Sequence, residues 1–280
     1  MTHQLTYQDH KIHVEVEGKG EVLLFLHGWP TNGRLWEAQC KLLKTNYRVI
    51  IPDWPGFGKS DKPMDYSYSL SGMTDILEFI IRELIPAQEK LTIIAHDIGG
   101  PPAIIWSSAH QARVRRLVLL NTVFYPFKTR LDKLGHLIFD TPGLSRIQLS
   151  NFGLSNLMLN LLKSREKTSR KAVREIMKRQ QPWPYSIRLK TIQQSLGNEG
   201  KAVITSLAKT FCELKVDKYL VIARKDPLCF AHMQRIHEQN PQVPAHFLQN
   251  CGHFISIDQP EEFNKILKKI LLIPATALQR

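Results

Sequence analysis

The chain has 280 residues, 43% of them hydrophobic, and carries a formal net charge of +13. This size suits one sizeable domain, or one domain with a large insertion. No stretch reaches the roughly 18 uncharged apolar residues of a transmembrane helix, and the first five residues do not resemble a secretory signal. The four cysteines show neither a C-x-x-C pair nor metal-ligand spacing. We therefore expect reduced thiols, no metal, no cofactor and a cytoplasmic location.

The positive charge is concentrated between Lys128 and Lys201. The densest run, 163–171, has no interleaved aromatic residues, which favours a solvated helix face over a nucleic-acid stripe. We expect a small-molecule substrate, no nucleic-acid or membrane partner, and a monomer or homodimer.

Short apolar runs bounded by Gly, Pro or Asp predict strands that are buried on both faces. Their positions are 21–26, 47–52, 91–95, 116–120, 219–223 and 245–248. Helical spacing lies between them, as at 71–84, and a closing helix is predicted at 261–272. This alternation predicts a mostly parallel sheet that is flanked by helices.

The alternation stops after Leu120 and returns at Tyr219. Between them, residues 124–209 show helical periodicity with Pro and Gly breaks and no convincing strand. We interpret this segment as a helical cap. The α/β core then comprises residues 1–123 and 210–280.

Asp97 follows the predicted strand 91–95, at the sheet edge where ligands bind in open α/β sheets. Ala95 and Gly99 flank it at the spacing of the small residues in a nucleophile elbow, a sharp strand-to-helix turn. Asp97 stands where Ser is usual. A carboxylate is ionised at pH 7 and attacks a carbon without a base. The resulting ester must then be hydrolysed.

That second step needs an activated water and donors for the developing oxyanion. His253 lies in a loop after the last predicted strand, and Asp226 directly follows the strand 219–223. The order nucleophile, acid, histidine predicts that Asp226 orients His253. The backbone N–H groups of Ile98 and Trp29 are the candidate oxyanion donors.

Five motifs occur in the same order as in one known family. They are His27-Gly28-Trp29-Pro30, the segment 53–63, His96-Asp97-Ile98-Gly99-Gly100, Lys225-Asp226-Pro227 and Gly252-His253. Together they resemble the α/β-hydrolase superfamily, in the branch that holds haloalkane dehalogenases and epoxide hydrolases. The resemblance spans nearly the whole chain. It implies an α/β-hydrolase fold with an aspartate nucleophile.

The substrate motifs depart from both parts of that branch. Haloalkane dehalogenases usually hold the halide with a Trp directly after the nucleophile, where this chain has Ile98, and with a second donor, for which Trp29 is a candidate. Epoxide hydrolases use cap tyrosines, for which Tyr125 and Tyr185 are candidates. The segment around Trp183 resembles a cap segment of the dehalogenases, and Trp183 is a further candidate substrate contact. Because Ile98 weakens the halide site, we favour epoxide hydrolysis on a small apolar substrate. Haloalkane dehalogenation is the alternative.

Two other classes of function remain as alternatives. The fold also serves non-catalytic small-molecule receptors, although an intact triad argues against that role. A serine esterase is weaker, since no Ser occupies the elbow.

The sequence Gly58-Lys59-Ser60 resembles the end of a P-loop, but Asp53 stands where that motif requires Gly, which excludes nucleotide binding. Asn121 occupies the other family position for the triad acid and cannot carry the charge, which favours Asp226.

Overall fold

The computed structural model describes residues 2–126, 167–178, 182 and 184–273. The strands within these ranges are β1 (Thr2–Tyr7), β2 (His10–Glu17), β3 (Glu21–Leu26), β4 (Tyr47–Pro52), β5 (Leu91–His96), β6 (Val114–Leu120), β7 (Asp217–Ala223) and β8 (Ala245–Leu248). They form one sheet in the order β1-β2-β4-β3-β5-β6-β7-β8. β1 pairs antiparallel with β2, and β2 pairs antiparallel with β4. The strands from β3 to β8 are parallel.

Helices cover both faces of this sheet. Within the described ranges they are α1 (Glu37–Leu43), α2 (Leu70–Leu84), α3 (Gly100–Ala109), α4 (Lys167–Lys178), α5 (Tyr185–Leu196), α6 (Asn198–Glu213), α7 (Phe230–Gln239), α8 (Ile255–Asp258) and α9 (Pro260–Leu272). None of them is both long and apolar enough to cross a membrane.

Two apolar cores explain the continuous apolar runs of the parallel strands. In β3, Leu24 packs with α2, α3 and α7 on one face, whereas Leu23 and Phe25 pack with α1 and α9 on the other. Side chains alternate between the two faces of a strand, so a strand with a core on each side is apolar throughout. The predicted α/β-hydrolase architecture is confirmed.

The sequence analysis assigns no strand before Glu21, and the structure places β1 and β2 there. In β2, the apolar residues Ile12 and Val14 alternate along the sequence with the polar residues Lys11, His13 and Glu15, of which His13 is also buried. This is the alternating pattern of an outer strand rather than the continuous run of a central one.

Three helices lie in the described parts of the segment 124–209. The first of them, α4, packs against the turn Gly33–Trp36 and against α8, and the side-chain amide of Asn32 donates to the carbonyl of Ile176 at 3.2 Å. The last, α6, packs against α3. All three of these contact points follow the carboxyl ends of parallel strands.

Candidate active site

Asp97 lies at the turn between β5 and α3. Its φ of +52° is in the left-handed region, which non-glycine residues rarely adopt. The backbone continues through a 3-10 turn, Asp97–Gly99, directly into α3. The hydroxyl of Thr122 donates to the carbonyl of Asp97 at 2.6 Å. A Cβ on Gly100 would lie 2.0 Å from that hydroxyl oxygen, so the close packing requires glycine. The strand-to-helix turn therefore has the strained form of a nucleophile elbow.

The Asp97 carboxylate is held by backbone donors. Its Oδ2 accepts the N–H of Trp29 at 2.8 Å, and the N–H of Ile98 donates to the same carboxylate. These are the two donors that the sequence predicts for the oxyanion. Gly28 allows this approach, because a Cβ there would lie 2.3 Å from the Asp97 Cβ.

Burial dominates the electrostatics of Asp97. It raises the pKa of this carboxyl above the ordinary 3.8, while the charge of His253 and the two N–H donors oppose the rise. The residue retains 7% exposure, so the carboxylate can be reached.

His253 lies between two carboxylates. Its Nδ1 is 2.9 Å from Asp226 Oδ2, and its Nε2 is 3.8 Å from Asp97 Oδ1. Burial alone would lower the pKa of His253, but the charge and hydrogen bond of Asp226 and the charge of Asp97 raise it to about 9. The structure thus brings together the three residues that the sequence predicts as a triad.

Asp226 is the more enclosed of the two acids. Its side chain is fully buried, and its Oδ1 accepts the N–H of Leu228 at 2.9 Å. Burial raises the pKa of Asp226, but the nearby His253 charge and hydrogen bonds outweigh this effect, and the net shift is downward. Asp226 is therefore the stable anion beside the imidazole.

Cys229 lies beside this pair. Donor atoms of Asp226, Cys229 and His253 all lie within 4.8 Å of one another, an O, S and N set that suits a zinc ion. Burial, with the nearby acids, raises the pKa of the Cys229 thiol well above its ordinary value. The Asp226 and His253 atoms are already joined in a hydrogen bond, so a metal ion bound by these atoms would replace the contact between the acid and the histidine of the triad.

Of the other predicted contact residues, one lies beside the elbow, one is turned away from it, and the side chains of two fall outside the described part of the chain. Trp29 is buried in the core cluster beside the elbow. The hydroxyl of Tyr125 donates to Gln239 at the surface, so it is not directed at the Asp97 carboxylate. Trp183 and the side chain of Tyr185 lie outside the described residues.

The sequence did not predict the hydrogen bonds that Asn121 and His96 make beside the triad. The Asn121 amide donates to the carbonyls of Gly252 and His253 at 3.2 and 3.0 Å and accepts the N–H of Ala223 at 2.9 Å. His96 Nε2 lies 2.8 Å from the carbonyl of His253. The polarity of Asn121 at the end of an apolar strand was the available signal.

Residues 21–260 match the model of the alpha/beta hydrolase fold family, and the chain belongs to that family. It is a hydrolase-type enzyme by this membership and by its homologues.

The curated relatives have several chemistries. A cis-3-alkyl-4-alkyloxetan-2-one decarboxylase from Shewanella oneidensis is 26% identical over 93% of this chain and 85% of its own length. A soluble epoxide hydrolase from Corynebacterium is 31% identical over 43% of this chain and 41% of its own. A haloalkane dehalogenase from Mycobacterium bovis is 29% identical over 47% of this chain and 46% of its own. Homologues therefore include both predicted enzyme types.

Solved structures agree on the fold. An esterase from Thermogutta terrifontis superposes with a TM-score of 0.80 at 19% identity, covering 97% of this chain and 98% of its own. A haloalkane dehalogenase from Bradyrhizobium elkanii gives 0.77 at 21% identity, covering 97% and 96%. At this identity the likeness concerns architecture alone.

Proposed function

We propose that this enzyme reacts through a covalent ester on Asp97. The observation that carries the proposal is that the two carboxylate oxygens of Asp97 have different contacts. Oδ2 is held by the Trp29 N–H, while Oδ1 faces His253. Oδ1 attacks a saturated carbon, the bond from that carbon to its leaving group breaks, and the carbon becomes esterified to Asp97.

The backbone donors serve the second step. When water attacks the ester carbonyl, negative charge develops on the oxygen that already accepts the N–H of Trp29. The N–H of Ile98 supplies the second donor. Donors fixed before the reaction stabilise that charge without reorganisation.

The loss of negative charge from Asp97 on ester formation allows His253 to act as a base in the hydrolysis step. In the free enzyme two carboxylates raise its pKa to about 9, so it is protonated at neutral pH. Ester formation removes the negative charge from Asp97 and lowers the pKa of His253. His253 then takes a proton from the attacking water, and Asp226 stabilises the imidazolium.

We also propose that residues 124–209 form a cap over this site. Support comes from α4, which packs on the turn Gly33–Trp36 and on α8, and from α6, which packs on α3. These partners all follow the strand ends that carry Asp97, His253 and Trp29. A cap at that edge would exclude water from the ester-forming step.

The proposed substrate is a small apolar epoxide. Ile98 offers no side-chain donor for a departing halide, which disfavours haloalkanes. An epoxide leaves an alkoxide that must be protonated. Because Tyr125 is turned to Gln239, Tyr185 is the proposed proton donor.

An oxetan-2-one is the second candidate, and the Tyr125 contact favours it. Attack at the saturated ring carbon would open the ring and leave a carboxylate, which needs no proton donor. Loss of carbon dioxide would then form an alkene and release the Asp97 carboxylate, so atoms and charge balance without water. The name of the Shewanella relative describes this type of conversion.

The test uses His253→Gln with styrene oxide, bromohexane and a cis-dialkyl oxetan-2-one. With styrene oxide or bromohexane we expect a mass increase on the Asp97 peptide of the variant, and diol, or alcohol with halide, from the wild type. With the oxetan-2-one we expect alkene and carbon dioxide from the wild type and from the variant, because that route needs no water activated by His253. Asp97→Asn is the matched control and should carry no adduct. If wild type turns over the epoxide or the haloalkane and no Asp97 adduct forms in the variant, the covalent mechanism is wrong for that substrate.

A further inference from the structure

Asn121 joins the ends of β6 and β7 to the loop that carries His253. It is the residue directly after β6, and it is fully buried. Its amide oxygen accepts the N–H of Ala223, the last residue of β7, three residues before Asp226. Its amide nitrogen donates to the carbonyls of Gly252 and His253. One side chain therefore connects the end of the strand that precedes Asp226 with the backbone of His253.

A second donor acts on the same carbonyl. His96, the last residue of β5, lies with its Nε2 2.8 Å from the oxygen of His253. Burial lowers the pKa of His96 to about 3, so its ring is neutral and Nε2–H is the donor. The main chain of His253 is thus held by side chains from the ends of both β5 and β6.

Asparagine suits both the backbone conformation and the hydrogen bonds at position 121. The backbone there has a φ of +36°, in the left-handed region that asparagine tolerates better than most residues. The contacts require one acceptor and a donating NH₂ in a single short side chain. Aspartate would keep the acceptor but turn a second oxygen toward two carbonyl oxygens.

We propose that Asn121 is a positioning residue for the Asp226–His253 pair, and that it serves hydrolysis of the Asp97 ester rather than its formation. The proposal rests on the ester mechanism above. Ester formation requires Asp97 and its N–H donors, whereas the side-chain hydrogen bonds of Asn121 reach Ala223, Gly252 and His253. Hydrolysis requires the imidazole at a fixed place, and a displacement of about 1 Å can cost about 10²-fold in rate.

Two variants separate this role from backbone strain. Asn121→Gly keeps the left-handed conformation and removes the amide, whereas Asn121→Asp keeps the size and removes the donors. Gln8→Gly is the matched control, because Gln8 has a φ of +47° in the exposed turn between β1 and β2. With the probe that labels His253→Gln, both Asn121 variants should accumulate the Asp97 ester and hydrolyse it about 10²-fold more slowly. Ester formation should keep the wild-type rate, and Gln8→Gly should match wild type throughout.

A spectroscopic readout needs no substrate. The proton between His253 Nδ1 and Asp226 should give a far-downfield NMR signal in the wild type, assigned by its loss in Asp226→Asn. We expect that signal to broaden or move upfield in Asn121→Gly and Asn121→Asp. An unchanged signal, or wild-type ester hydrolysis in both folded variants, would overturn the proposal. If His253→Gln traps no ester from an epoxide or haloalkane that the wild type turns over, the ester mechanism fails for that substrate, and the NMR signal still decides the role of Asn121.

Discussion

The two carboxylates that face His253 are the same residue type in two different environments. Asp97, at the end of β5, keeps slight solvent access and lies 3.8 Å from the imidazole. Asp226, after β7, is fully enclosed and lies 2.9 Å from it. Burial raises the pKa of Asp97, whereas the close imidazolium outweighs burial at Asp226 and lowers its pKa. Environments that separate two pKa values in this way also separate two roles.

The largest expected effect distinguishes the two acids directly. Asp226→Asn removes the anion that stabilises the imidazolium and favours the wrong tautomer of His253, so turnover should fall by about 10⁴-fold. The Asp97 ester should still form and accumulate, as single-turnover mass spectrometry would show.

Asp97→Asn is the counterpart of that variant, with the same change at the other acid. It should form no ester. Equal labelling, or equal absence of labelling, in the two variants would remove the proposed division of roles.

The next effect tests the approach of Asp97 to its backbone donors. Gly28→Ala places a Cβ 2.3 Å from the Asp97 Cβ, so the carboxylate must move from the Trp29 N–H. We expect both ester formation and ester hydrolysis to slow, by about 10²-fold for a displacement of about 1 Å. Rapid-mixing kinetics would measure each step.

Thermal unfolding of Gly28→Ala gives the necessary control, since a folded variant is required for the comparison. Loss confined to the hydrolysis step would contradict the placement of Asp97, because the displaced group is also the proposed nucleophile.

The smallest effect is the pH dependence of the two steps. Ester formation requires ionised Asp97, so its rate should fall as the pH drops through the raised pKa of that group. Ester hydrolysis requires neutral His253, whose pKa lies below the free-enzyme value of about 9 once Asp97 is esterified. Its rate should fall about tenfold per pH unit below that pKa.

Single-turnover rates measured across pH would give both profiles. Hydrolysis that accelerates as the pH falls would show that His253 is not the base of the second step.

The parallel core was predictable because its signals are local. Runs such as 21–26 and 91–95 are apolar throughout, and the structure places β3 and β5 there. The helix predicted at 71–84 begins one residue earlier, at Leu70, where the hydroxyl of Ser69 accepts the N–H of Gly72. The first two strands were missed because an outer strand needs no continuous apolar run.

The sequence by itself determined the fold class and which residues are the triad candidates, since an aspartate at the elbow and an aspartate and a histidine at two later strand ends are local patterns. Only the tertiary structure decided how those residues are held. Asn121 contacts groups more than 100 positions away along the chain, and no spacing rule predicts such a contact. The opposite pKa shifts of Asp97 and Asp226 have the same origin, because burial and distance to His253 exist only after the strands have assembled.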